Sequence, residues 1–234
     1  MPNLQTPHHP QNNHYAAVRA VSSNQESIHK NLEAVVYKRL NTEFLRPYAQ
    51  HSKQAFAEAA NWLAEQRKPL ILDSFCGIGE SSRYLAEQFP DHAVIGIDQS
   101  AARLGKHINQ FGELPDNVML LRADCDDIWR MAVDAGWRCE QHFLLYPNPW
   151  PKSAHLQRRI HGSPVFKSLL ALSKQLELRS NWLIYMEEFQ KSLALAEIPS
   201  KLEQLKEEEP ITAFERKYQA NGQTLWQLRA QLPL

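Results

Sequence analysis

The chain has 234 residues, of which 43% are hydrophobic, enough apolar material for a sizeable core. Lys plus Arg equals Asp plus Glu at 26 each, so no global basic field exists and any nucleic-acid site has to be a local patch. Three cysteines without a C-x-x-C pair exclude a disulfide framework and a zinc cage and fit a reducing cytoplasm, and no apolar run is long enough for a leader or a membrane span.

Residues 1–20 hold few large apolar groups and read as a disordered tail, followed by a helical extension over 21–68. In that extension Ile28, Leu32, Val35, Val36, Leu40 and Phe44 recur at helical spacing, and after Pro47 a second run places Phe56, Ala59, Ala60 and Leu63 on one face. The main domain, 69–234, opens with a strand over 69–75 that feeds the glycine turn Cys76-Gly77-Ile78-Gly79 and a helix to Phe89. Strand and helix then alternate: strands at 94–98 and 118–122, helices at 101–111 and 128–135, and a buried strand at 143–146. After it come a helix over 164–176, a fifth strand at 182–186, and helical material to Leu205. This alternation predicts a doubly wound α/β fold with a mostly parallel sheet. Asn221-Gly222, between 211–218 and 223–232, predicts a type I′ turn and a closing antiparallel hairpin. A dinucleotide dehydrogenase would continue with parallel units, so the hairpin favours a class I S-adenosylmethionine-dependent methyltransferase architecture.

Ligands of such sheets bind at the carboxyl ends of the strands, and the candidate residues gather there. Gly77 and Gly79 allow close backbone approach at a helix N-terminus. Ser82 stands where a dinucleotide fingerprint needs its third glycine. Asp98 ends the second strand 19 positions after Gly79 (98 − 79), near the offset at which an acid accepts ribose hydroxyls. Asp124 is placed to accept from an adenine amino group, although it stands beside the helix-capping candidates Asp126 and Asp127. Asp73 is placed to hold either the amides of the turn or the cofactor's ammonium group.

After the 143–146 strand, Pro147, Pro149 and Pro151 stiffen a loop that carries Asn148, Trp150, Lys152, His155, Arg158 and Arg159. Between Lys152 and Arg179 six basic residues, Lys152, Arg158, Arg159, Lys167, Lys174 and Arg179, face the single acid Glu177. That surplus is either a phosphate-holding patch or a helix face balanced by the acidic run 207–209. Trp150 either stacks a base or packs, and His155 lacks a second ligand at metal-binding spacing.

The loop P-N-P-W-P-K-x-x-H-x-x-R-R, together with T-x-F-E at Thr212, Phe214 and Glu215, resembles the bacterial tRNA (guanine-N7)-methyltransferase family. The resemblance runs from about Pro69 to Leu228. It implies S-adenosylmethionine as cofactor, bound through Asp73, Asp98 and Asp124 with the Gly77 and Gly79 turn, and tRNA as partner. It implies that Asn148 takes the catalytic position, where the family has Asp, and also touches the cofactor, and that Lys152, Thr212 and Glu215, with the loop residues His155, Arg158 and Arg159, contact substrate, with Glu188 at a further substrate position. Three other departures are Phe75 at the first glycine of the family's turn, Ala154 and Gln157 where basic residues are common, and the lack of an Arg-rich N-terminal segment. The expected protein is a cytoplasmic monomer or homodimer without a metal. Its alternatives are a paralogue with another acceptor and a non-catalytic RNA- or partner-binding descendant.

Overall fold

The structure, a computed structural model, describes residues 21–206 and 210–233. The expected tail at 1–20 and the acidic run at 207–209 lie outside the described residues. Two helices come first, α1 (Leu32–Leu40) and α2 (Gln50–Gln66). The alternating region then supplies β1 (Leu70–Ser74), α3 (Glu80–Gln88), β2 (Ala93–Asp98), α4 (Ala101–Leu104), α5 (His107–Phe111), β3 (Val118–Arg122), α6 (Cys125–Asp134) and β4 (Cys139–Leu145). Two short 3-10 segments, Ser153–Arg158 and Ile160–Gly162, lead to α7 (Phe166–Leu170), β5 (Ser173–Ser180), α8 (Leu183–Leu195), β6 (Ser200–Gln204), α9 (Ala213–Ala220) and β7 (Trp226–Gln231).

The strands form one seven-stranded sheet among the described residues, in the order β3-β2-β1-β4-β5-β7-β6. Strands β1 to β5 pair in parallel, and β7 runs antiparallel to both β5 and β6. Every residue of β1 and β2 is buried, as a strand covered on both faces requires, which is why those segments read as unbroken apolar runs. One face packs Trp129, Phe166, Tyr185 and Phe189 with Leu32 and Val36 of α1; the other packs Ile71, Leu85, Val94 and Phe143. The strand order reverses between β1 and β4, and a cleft opens at their carboxyl ends.

The second half departs from the sequence reading in three places. The fifth strand is Ser173–Ser180, not 182–186, and the helix before it stops at Leu170. Lys174, Gln175, Glu177 and Leu178 have helix-prone side chains, but Leu176 and Leu178 are buried in the core, and strand pairing overrides propensity. Residues 200–204, read as helical, form β6. Residues 213–220 are helical, and Asn221-Gly222 is not a hairpin turn. The Gly222 amide bonds the Gln219 carbonyl at 2.9 Å and the Gln223 amide bonds that of Tyr218 at 3.0 Å, with Gly222 at φ 64°, a Schellman stop. Left-handed backbone serves both motifs, so the dipeptide alone does not separate them.

Candidate active site

The glycine-turn side of the cleft is held by short-range contacts. Asp73, next to last in β1, is fully buried, and its Oδ2 accepts from the hydroxyls of Ser81 and Ser82, each at 2.6 Å, which ties the strand to the first turn of α3. Its Oδ1 is buried without a partner, and burial pushes the carboxyl up to about 6. Gly79, at φ 81°, has no room for a side chain, since a Cβ would lie 2.6 Å from Leu120. Gly77, at φ 65°, faces open space. Asp98 accepts from the amides of Gly77 at 3.1 Å and Ser100 at 2.7 Å and from Arg103 at 3.0 Å, and its carboxylate lines the cleft. Asp124 lines it too and also caps α6, accepting from the Asp126 amide at 2.9 Å. Arg46, from the segment joining α1 to α2, reaches Asp124 at 2.8 Å and Asp127 at 3.0 Å; nothing in the local sequence announced it. Burial, with Asp124 beside it, pushes the Asp126 carboxyl up to about 6.

The opposite wall is the proline loop. Phe75, Tyr146 and Trp150 all line the cleft with left-handed backbone, at φ 64°, 56° and 47°. Such conformations cost about 1–3 kcal/mol each and persist only where the surroundings over-determine them. Trp150 shows how: its amide donates to Asn148 Oδ1 at 3.1 Å, and its carbonyl accepts from Arg159 Nε and Nη2, both at 3.2 Å. Asn148 is exposed at the cleft rim, so its carbonyl oxygen serves the turn while its amide nitrogen remains to face a ligand. His155 meets the Trp150 ring edge-on at 5.5 Å, and the Arg158 guanidinium lies 5.0 Å from it.

Tyr146 donates its hydroxyl to Glu215 Oε1 at 3.0 Å, and burial together with that carboxylate pushes the phenol's pKa up, which keeps it protonated. Glu215 is itself buried, accepting from Arg179 at 2.7 Å and from the Ile211 amide at 2.8 Å. Thr212 caps α9 by accepting from the Glu215 amide at 3.0 Å. The pair stands as T-x-x-E, a capping signature the sequence displayed and that reading as a strand missed. Phe214 of this helix, 48% exposed, stacks on Tyr218 at 6.2 Å, and Tyr218 meets Tyr146 at 5.6 Å. The cleft between these walls encloses about 490 Å³.

Among the residues expected here, Asp98, Asp124, Asn148 and Arg158 line the cleft, and Lys152 is exposed on the loop. Asp73 lies behind the turn. Arg159 and Glu188, expected at the acceptor, are instead wholly buried and bonded to each other, away from it. The expected basic patch is correspondingly thinner: Arg179 sits between Glu177 and Glu215, and the exposed Lys174 pairs with Glu140, leaving Lys152, Arg158 and Lys167 exposed without an ion pair among the described residues. No cluster of His, Cys, Asp and Glu able to hold a metal occurs among the described residues, and no described helix is long and apolar enough to cross a membrane.

Residues 67–228 match the model of a family described as "Putative methyltransferase". A tRNA (guanine-N(7)-)-methyltransferase from Leifsonia xyli subsp. xyli is 27% identical over 170 residues, covering 68% of this chain and 74% of that protein. One from Nocardioides sp. is 29% identical over 176 residues, covering 70% and 68%. Among solved structures, the 16S rRNA methyltransferase KamB matches with a TM-score of 0.56 at 17% identity, over 80% of this chain and 96% of that one. A 16S rRNA (adenine(1408)-N(1))-methyltransferase from Catenulisporales acidiphilia, described with S-adenosylmethionine, matches with 0.52 at 17%, over 74% and 90%. These structures share the fold, with the same α/β layering.

Proposed function

The chain belongs to this methyltransferase family, and from that premise we propose that it transfers a methyl group from S-adenosylmethionine to N7 of a guanine in tRNA. The residues present fit the cofactor: an acid at the end of β2 and an acid at the start of α6 line one cleft, and an open glycine turn adjoins it through the bond from the Gly77 amide to Asp98. Asp98 would hold the ribose hydroxyls, Asp124 the adenine amino group, and Gly77 would admit the amino-acid end close to the backbone. Asp73 shapes the turn from behind. When bound, S-adenosylmethionine supplies an electrophilic methyl on a sulfonium.

The observation that carries the acceptor reading is the composition of the facing wall. It presents aromatic rings from Tyr146, Trp150, Phe214 and Tyr218, and its one buried carboxylate, Glu215, is engaged by Arg179, Tyr146 and the Ile211 amide. Guanine N7 carries an in-plane lone pair and loses no proton before attack, so such a wall has only to orient the base and exclude water. Asn148 orients it: with Oδ1 committed to the Trp150 amide, Nδ2 donates to an acceptor edge such as guanine O6. Glu215 and Thr212 act through Tyr146 and α9 rather than on the base, and Lys152 and Arg158, with His155 between them, hold RNA phosphates.

The test is transfer of labelled methyl from S-adenosylmethionine to tRNA lacking N7-methylguanosine, followed by nucleoside analysis. Label in N7-methylguanosine is expected. Label elsewhere, or none with cofactor binding intact, would move the acceptor to another substrate.

A further inference from the structure

A loop with three prolines lacks three backbone donors and cannot satisfy its carbonyls by a regular local ladder. In this chain its partners come both from the nearby Arg159 and from a segment more than 120 residues away. Ser23 Oγ donates to the Pro151 carbonyl at 2.6 Å, and Asn24 Oδ1 accepts from the Ser153 amide at 3.0 Å. Arg159 donates to the carbonyls of Trp150 at 3.2 Å and Lys152 at 3.4 Å, and its Nη2 also reaches Gln25 Oε1 at 2.9 Å. Glu188, from the buried face of α8, collects four donors. Gln25 Nε2 at 2.6 Å and the His29 amide at 2.8 Å meet Oε1; Arg159 Nη1 and His161 Nε2, the latter at 3.1 Å, meet Oε2. Burial alone would raise this carboxyl's pKa, yet His161, the His29 amide and Arg159 hold it well below the usual carboxylate range, so the hub stays ionic.

We propose that Ser23–His29 is a strap that sets the geometry of the Pro147–Lys152 loop, with Arg159 and Glu188 as positioning residues through which the strap holds Trp150 in its left-handed backbone. A buried ion pair is poor evidence for stability, and its attested use is to fix one arrangement among several. Here the arrangement fixed is that of the wall facing the acceptor. The strap's outer contacts are made by the half-buried Ser23 and the exposed Asn24, both small polar side chains outside the core, so they can be removed without emptying it.

The test uses the full chain with S23A/N24A, which deletes both contacts, and S23T/N24D, which keeps a hydroxyl donor and a carboxyl acceptor. Hydrogen exchange at the amides of Trp150 and residues 152–159 is expected to rise about tenfold in the first while β1 and β4 are unchanged. Its turnover is expected to fall about fivefold with KM for the cofactor and the melting midpoint unmoved, and S23T/N24D to restore both exchange and turnover. Unchanged exchange in S23A/N24A, or equal loss in the two variants, would overturn the strap. The turnover arm rests on the methyl-transfer reading. If the wild-type chain methylates nothing, that reading fails and the exchange arm alone decides the strap.

Discussion

The two walls of the cleft are held in opposite ways. On the glycine-turn side, the bonds from Asp73 and Asp98 span 8, 9 and 21 residues. On the proline-loop side, those from Ser23, Asn24 and Gln25 span 128, 129 and 134. The turn of the first wall is assembled from one strand-turn-helix unit and its neighbour, so its geometry follows from local chemistry, while the flanks of that wall add Arg46 on Asp124 across 78 residues and Arg216 on Glu80 across 136. The second exists only when an N-terminal segment, α8 and α9 converge on it. On the proposed function, the surface for a common cofactor has the first construction, while the surface proposed to choose an acceptor is tied to the whole molecule.

The sharpest way to break this contrast is Glu188→Ala. It leaves Arg159 buried and unpaired, and is expected to destabilise the chain by about 3–5 kcal/mol in denaturant unfolding. The contrast fails if the loss is below ~1 kcal/mol. Next comes pH. The Asp73 carboxyl stands at about 6 in the folded chain against an ordinary 3.8, so the folded state holds the proton more tightly. Its contribution is fully present below pH 3.8 and is lost as pH rises through about 6, a span of ~3 kcal/mol. Asp73→Asn removes that slope, so the stability of the variant relative to wild type should climb between pH 4 and 7 in thermal melts.

Asp98→Ala deletes charge-assisted acceptors and should weaken cofactor binding by about 1.5–3 kcal/mol, or 10- to 150-fold, in calorimetry. Gly79→Ala forces both a strained φ and a contact with Leu120, for about 1–3 kcal/mol of lost stability. The smallest effect is reserved for Asn148→Ala, which removes the acceptor of the Trp150 amide at an exposed rim. It is expected to cost about 1 kcal/mol and, with it, roughly fivefold in transfer rate, with cofactor affinity kept. Cofactor affinity lost as steeply as in Asp98→Ala would mean that the two walls are not separable.

The same division decides how much the sequence disclosed. β1, the glycine turn, β2 and β3 are legible because each is a short apolar run closed by an acid or a glycine, and β3 falls at its expected bounds. The proline loop is legible as a motif, since three fixed φ angles announce rigidity, and Asn148 and Arg158 do line the cleft. What a motif does not encode is which side of a basic loop is buried. Arg158 and Arg159 are adjacent and chemically identical, yet one sits at the rim and the other in the core, a difference set by Gln25 and Glu188 from elsewhere in the chain. The C-terminal third misled for a related reason. Thr212 to Glu215 carry a helix cap, but the expectation of a closing hairpin made 211–218 a strand.

The placement of β7 has a consequence for how the chain is made. It is the last strand of the described chain, and it slots between β5 and β6, reversed against both. Until it arrives, β5 and β6 have no common partner, and α9, which brings Glu215 to Tyr146 and Arg179, hangs from an unfinished sheet edge. On the ribosome the glycine-turn wall therefore has its strands before β7 is made, and α9 docks against a complete β5-β7-β6 sheet only once β7 has paired.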